Sequence, residues 1–158
     1  MKPIHYIIAL AVTSLDLLTK GLVLSRLGDN NPKIEILPGF FDIILVRNSG
    51  IAFGMLHDVD SPWKPVILSV IALLALGAIT YYGRLTESSS RWLPVVLGVV
   101  MGGILGNFLD RVYNGSVVDF LDVYWRSHHW PAFNVADSAI TIGTIALLLD
   151  SFRSRPVS

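Results

Sequence analysis

The chain has 158 residues, of which 53% are hydrophobic and only 15% charged, and its 12 basic and 12 acidic side chains balance to zero. A soluble domain carries about 25% charged residues, so the composition argues against a soluble globular protein, and the balanced charge gives no basic footprint for nucleic acid. The absence of cysteine excludes a thiol nucleophile, a disulfide framework and a thiolate–zinc site.

Four apolar segments, over about 4–26, 65–83, 92–109 and 132–149, each approach the roughly 20 residues that cross the hydrocarbon core as a helix. The first, with Met1 and Lys2 ahead of it, imitates a signal peptide. No small-x-small cleavage pattern follows, and apolar character resumes beyond Lys20, so it reads as a retained span. Asp16 and Lys20 lie four apart on one face of it. They form either an i,i+4 ion pair that lets two charges coexist in a membrane, or an arrangement in which Asp16 holds a polar loop. Between the first two spans come two β-like runs, 34–37 and 41–46, joined by the turn dipeptide Pro38-Gly39. Asn48-Ser49-Gly50-Ile51-Ala52-Phe53-Gly54 follows, with two glycines that let backbone approach a ligand closely.

The second span carries no charge, and Ser88-Ser89-Ser90 reads as a short loop before the third. There Gly98, Gly102 and Gly106 recur at four-residue spacing, a stripe that lets a neighbouring helix come close. Packing is the better reading of that stripe; its indirect value is to hold Asn107, Asp110 and Arg111 in fixed positions. Asp110-Arg111 reads as an interfacial anchor or as an electrostatic strut. The segment 111–131 contains the turn signal Asn114-Gly115 and then Val117-Val118-Asp119-Phe120, which predicts Asp119 on a turn returning to the membrane surface. Asn134 reads as the N-cap of the fourth helix with Asp137 three residues on, a capping arrangement. The expected fold is therefore an all-α integral membrane domain over 1–158, with four transmembrane helices and a small extracytoplasmic β-like cradle between helices 1 and 2. Short basic flanks at both termini favour cytoplasmic ends, and Trp63, Trp92, Trp125 and Trp130 lie near span ends as an aromatic belt requires.

An ionisable carboxyl beside hydrocarbon is costly and marks a functional site by default. Asp119 and Asp137, each beside a span end, could converge as a pair in which close like charges keep one proton bound. The ionised member would then take a proton from water and the protonated member would donate to a carbonyl oxygen. Which member does which is open, because a coupled pair titrates as a unit. Two other readings stand beside this one: a proton-coupled transporter relaying protons through Asp16 and the pair, and a non-catalytic membrane adaptor whose acids are caps and anchors. His5, His57, His128 and His129 lack metal-ligand spacing, and no serine sits in a Gly-x-Ser-x-Gly elbow, so carboxylate chemistry also survives by elimination.

Five blocks in series resemble the lipoprotein signal peptidases (signal peptidase II), bacterial inner-membrane aspartic peptidases. They are Asp16-Leu17-Leu18-Thr19-Lys20, Asn48-Ser49-Gly50-Ile51-Ala52-Phe53, Gly106-Asn107-Phe108-Leu109-Asp110-Arg111, Val117-Val118-Asp119-Phe120 and Phe133-Asn134-Val135-Ala136-Asp137. The resemblance implies that Asp119 and Asp137 are the catalytic pair. It implies that Asn48, Gly50, Asn107, Arg111 and Asn134 line or support the site, with Asp16, Lys20 and Asp110 in the same polar shell. It also implies a prolipoprotein substrate cleaved just before a diacylglyceryl-modified cysteine, contact with membrane lipid, no metal or organic cofactor, and action as a monomer. The site would lie near the outer face of the inner membrane under the cradle of residues 34–47, with an apolar groove that suits Phe53, Phe120 and Phe133. Leu17 and Ile51 depart from the family's common glutamine and alanine, and neither touches the pair.

Overall fold

A computed structural model describes residues 3–27, 33–50, 61–86 and 92–153. The loop at Ser88-Ser89-Ser90, His57, and the stretch Ile51-Ala52-Phe53-Gly54 lie outside the described residues. In chain order the elements are α1 (Ile4–Arg26), β1 (Lys33–Leu37), β2 (Phe41–Asn48), α2 (Lys64–Leu85), α3 (Leu93–Asn114), β3 (Val117–Trp125), β4 (His128–His129) and α4 (Val135–Arg153). All four helices are long and apolar enough to cross a membrane. On α2 the side chains of Val66, Ile67, Val70, Leu73 and Leu74 point outward, exposed. Such a surface is stable only where hydrocarbon replaces water.

The third helix is the centre of the bundle, packing against α1, α2 and α4. The glycine stripe makes that possible. A Cβ at Gly98 would stand 2.7 Å from the His5 carbonyl oxygen, and one at Gly102 would stand 2.7 Å from the Ala9 carbonyl oxygen. The two backbones therefore touch where side chains would normally keep them apart, and Thr13 Oγ1 donates to the Gly102 carbonyl at 3.0 Å across the same seam. Gly103 meets Ala136 and Ile140 of α4 in the same way, so α3 carries small residues toward two neighbours at once.

Of the helix boundaries that differ from the sequence reading, two bear on the site. The third helix continues five residues past Leu109, because Asp110 and Arg111 find partners within the fold rather than needing water. It ends where Gly115 adopts φ 68° and donates its N–H to the Arg111 carbonyl at 3.0 Å, a left-handed cap that glycine takes without steric cost. The fourth helix begins at Val135 rather than at 132, since Phe133 bridges to Leu121 of β3.

The cradle is present and larger than expected. Its four antiparallel strands run in the order β1-β2-β3-β4, and two of them come from the segment after α3 instead of from between helices 1 and 2. Asp119 is accordingly on a strand, not on a turn, opposite Val46 of β2. The sheet covers the end of the bundle where α1 and α3 finish and α2 and α4 begin. Phe120, expected to line a groove, instead packs with Val23 and Leu27 under the sheet, because alternation along β3 turns it away from Asp119.

Gly102→Ala should destabilise the protein by about 1–3 kcal/mol, the usual cost of overpacking, read as a lower unfolding temperature in detergent. Gly77→Ala on α2, where a Cβ meets nothing within 4 Å, should be neutral or slightly stabilising. Equal effects of the two changes would contradict the close α1–α3 seam.

Candidate active site

Each acidic side chain of the site is held by an element that had a structural reason to be there. Asp137 stands in the first turn of α4, and its bonds with Asn134 are reciprocal. The Asp137 N–H donates to Asn134 Oδ1 at 2.8 Å, and the Asn134 N–H donates to Asp137 Oδ2 at 3.2 Å. That is a capping box, so the capping reading of this motif holds. The second carboxylate oxygen is left over, and Asn107 Nδ2 donates to it at 2.7 Å. Capping therefore fixes Asp137 without consuming it.

Asp119, on β3, is 2% exposed. Its Oδ2 accepts from Asn48 Nδ2 at 2.9 Å and its Oδ1 from Asn134 Nδ2 at 2.7 Å. Asn134 thus bonds both aspartates, one through its side-chain amide and the other through its backbone. Asn107 completes the link: its Oδ1 accepts from Asn134 Nδ2 at 3.1 Å and from Lys20 Nζ at 3.0 Å. Arg111, one turn on along α3, donates to the carbonyls of Asn107 at 3.2 Å and Gly50 at 3.3 Å. Gly50 in turn donates its N–H to Asn48 Oδ1 at 2.8 Å. One continuous network therefore ties Asn48, Gly50, Asn107, Arg111, Asp119, Asn134 and Asp137 together.

Beneath it lie the charges of α1. Lys20 is 2% exposed and Asp16 is 0% exposed. The Lys20 ammonium sits 2.6 Å from Asp16 and 2.9 Å from Asp110. Asp16 Oδ1 accepts from the Ala136 N–H at 2.9 Å, at the start of α4, and Asp110 Oδ2 accepts from the Val118 N–H at 3.1 Å, at the start of β3. The i,i+4 pair is real, and it also anchors the two elements that carry Asp137 and Asp119. Asp110 is the buried strut of the two readings open to it. Gly106 is required here, since a Cβ would stand 2.5 Å from Asp16 Oδ2.

Both aspartates face a cavity of about 710 Å³ between α2 and α4, floored by α3. Apart from Asn48, Asn107, Arg111 and the aspartates its walls are largely apolar. They include Leu68, Ile71 and Ala75 of α2, Ile140 and Ile142 of α4, and the connecting segment Trp130-Pro131-Ala132-Phe133. Phe133 is in the wall as the sequence suggested. The α2 contribution had no signal in the sequence, where that segment is a featureless apolar span. Among the described residues, no group of three or more His, Asp or Glu side chains is arranged to hold a metal ion.

Burial pushes the Asp119 carboxyl up to about 6, with the charge of Asp137 acting in the same direction and the amides of Asn48 and Asn134 opposing it. A buried carboxyl next to a second one resists losing its proton, so the pair keeps a proton at pH values where an isolated aspartate is already ionised.

Residues 8–153 match the protein family described as signal peptidase (SPase) II. The chain is 39% identical over 149 residues to a lipoprotein signal peptidase of Vibrio cholerae, covering 94% of this chain and 86% of the relative. It is 41% identical over 157 residues to one of Geobacter metallireducens, covering 97% and 94%. Its fold superposes on a bacterial membrane enzyme solved by the in meso method at 2.3 Å, with a TM-score of 0.80 and 31% identity over 98% of this chain and 93% of that one.

Asp119 is more readily protonated folded than unfolded, so its ionisation costs stability as pH rises from about 4 to about 6, and the cost persists above that. Asp119→Asn removes it. The stability of Asp119→Asn relative to the unsubstituted protein should therefore rise with pH across that window, by on the order of 3 kcal/mol, and then level off. Unfolding of both proteins in detergent across pH 4–8 measures this, and a difference independent of pH would contradict the assignment.

Proposed function

The chain belongs to the signal peptidase II family, aspartic peptidases that remove signal peptides from lipoprotein precursors, and from that premise we propose that Asp119 and Asp137 are its catalytic pair. The observation that carries this is the shared amide clamp: Asn134 bonds both carboxylates and Asn107 bonds Asp137, while both acids border one apolar cavity. Two carboxyls held this way with one proton between them can act as base and acid in a single step.

In the proposed reaction the ionised carboxyl takes a proton from a water molecule, and the water oxygen attacks the scissile carbonyl carbon. The protonated carboxyl gives its proton to the carbonyl oxygen, forming a tetrahedral diol. Collapse of the diol breaks the C–N bond: the carboxyl that accepted the water proton gives it to the departing amine, and the other, now ionised, takes a proton from one diol hydroxyl, leaving a carboxylic acid and the pair with its single proton. The helix N-terminus favours negative charge at Asp137, which supports Asp137 as the member that activates water. Arg111, bonded to Gly50, is suited to hold the segment beside Asn48 while substrate enters.

The substrate we propose is a prolipoprotein whose cysteine already carries a diacylglyceryl group, cut on the N-terminal side of that cysteine. Apolar walls along α2 and α4 suit hydrocarbon and an extended signal peptide, and a lipid anchor would present the scissile bond at the level of the pair. The proposed setting is the bacterial inner membrane, with cytoplasmic termini, the site near the outer face, and the monomer as the active unit. A proton relay would want carboxyls spaced through the depth of the bundle; the shared clamp favours the peptidase reading.

Purified protein should cleave a diacylglyceryl-modified prolipoprotein and leave the unmodified precursor intact. Asp119→Asn and Asp137→Asn should each lower kcat by about 10²–10⁴-fold, the span that general acid–base groups contribute, in protein that still inserts and folds. Retained cleavage by either variant would remove that residue from the pair. Absence of cleavage by the folded, unsubstituted protein would overturn the peptidase reading.

A further inference from the structure

The sheet carries a second titratable cluster that the proposed chemistry does not use. Glu35, Asp42 and Asp122 are direct cross-strand neighbours on β1, β2 and β3, and like charges placed opposite each other repel. Three cationic or polar partners offset that repulsion from different sides. Lys33 bonds Asp42 at 2.8 Å and Tyr124 Oη bonds it at 3.3 Å. His129 Nδ1 lies 2.9 and 3.0 Å from the two oxygens of Asp122. His129 also stacks on Tyr124, its cross-strand partner, with centroids 4.7 Å apart and planes 15° apart.

The hairpin that delivers His129 is too short to hold itself. The strand β4 has two residues, and the turn before it puts Arg126 at φ 58°, a left-handed conformation that costs a non-glycine residue about 1–2 kcal/mol. Isolated two-stranded hairpins are marginal even when longer. The His129 ring, bonded and stacked at once, adds side-chain ties to the short backbone ladder of this hairpin. Directly beyond it comes Trp130-Pro131-Ala132, which walls the cavity on the side of the aspartates. Trp130 N–H donates to the Val123 carbonyl at 2.8 Å. Phe133 is tied separately, its carbonyl accepting from Phe120 and Leu121 and its N–H donating to Leu121. The Phe133 tie secures Asn134 and the catalytic level without help from His129, whereas Trp130-Pro131-Ala132 follow directly on the hairpin that carries His129.

We propose that the His129–Asp122 contact is a clip that positions the Trp130–Ala132 lip of the cavity, and so sets how tightly the apolar part of the substrate is held. His129 and Asp122 are positioning residues that act through the lip and touch no reacting atom. The proposal rests on the peptidase reading for its kinetic consequence, though not for its structural one.

The test is His129→Ala and Asp122→Asn, singly and together, with Lys33→Ala as a control on the far side of the same acidic row. Steady-state cleavage of a diacylglyceryl-modified prolipoprotein should show KM raised about fivefold or more with kcat within about twofold, the pattern of lost binding without lost chemistry. The double variant should be no worse than the worse single one, as for two halves of one contact, and Lys33→Ala should leave KM unchanged. Amide hydrogen exchange at Trp130, whose N–H donates to Val123, should quicken in both single variants, while exchange at Phe133 stays slow. Unchanged KM, or kcat falling in step with a stable KM, would overturn the clip. Should the unsubstituted protein fail to cleave, the exchange measurement still decides: unaltered exchange at Trp130 overturns the clip, and quickened exchange there upholds it while the peptidase reading fails alone.

Discussion

A lysine buried on a membrane-length helix is tolerable only if its charge is matched, and the matching of Lys20 organises this protein. Its ammonium is shared by Asp16 from its own helix and Asp110 from α3, and a third bond goes to Asn107. Each of those partners reaches further. Asp16 takes the Ala136 N–H at the start of α4, Asp110 takes the Val118 N–H at the start of β3, and Asn107 bonds Asp137. Removing one member of a buried ion pair leaves an uncompensated charge, which costs about 3–5 kcal/mol. The same ammonium that must be neutralised thus fixes the starting points of the two elements that carry the aspartates.

Close packing and charge matching depend on each other here. The carboxylate of Asp16 reaches Lys20 and Ala136 only because Gly106 leaves room for it, and α1 reaches α3 only because Gly98 and Gly102 do the same one and two turns away. The polar cluster therefore sits at the end of a seam in which backbone meets backbone. Rigidity there serves the proposed chemistry, since a carboxyl pair works only when both oxygen-bearing groups are held in register with the substrate. On the opposite side of α3 the packing loosens into the cavity between α2 and α4, where an apolar substrate has room.

Much of this was legible in the sequence. Four long apolar segments, the spacing of Gly98, Gly102 and Gly106, the four-residue offset of Asp16 and Lys20, and the Asn134–Asp137 capping pattern are local signals, and each appears in the structure where local geometry would put it. The five motif blocks brought the polar residues into one list before any contact was known. What stayed hidden was non-local. Nothing between Val117 and His129 announces that the chain adds two strands to a sheet begun at Lys33, so Asp119 reads as a turn residue. The walls that α2 supplies are ordinary leucine, isoleucine and alanine, the same residues any lipid-facing helix uses. Asp122 and His129 are seven residues apart with no motif joining them, because only the register of β3 against β4 brings them together. Phe120 suits the apolar groove that the family resemblance implies, while strand alternation sends it into the core.

If the charge on α1 governs the geometry of the aspartate pair, removing that charge must disturb the chemistry above it. The most direct measurement is kcat of Lys20→Met for a lipidated prolipoprotein, taken on protein shown to insert and fold. Loss of at least about a hundredfold in kcat, with Asp119 and Asp137 both intact, is the expected result, since misplacement of about 1 Å at a reacting group costs that much. A folded Lys20→Met protein that cleaves at the unsubstituted rate would contradict it, and would mean that Asn107 and Asn134 hold the pair without the charge beneath them.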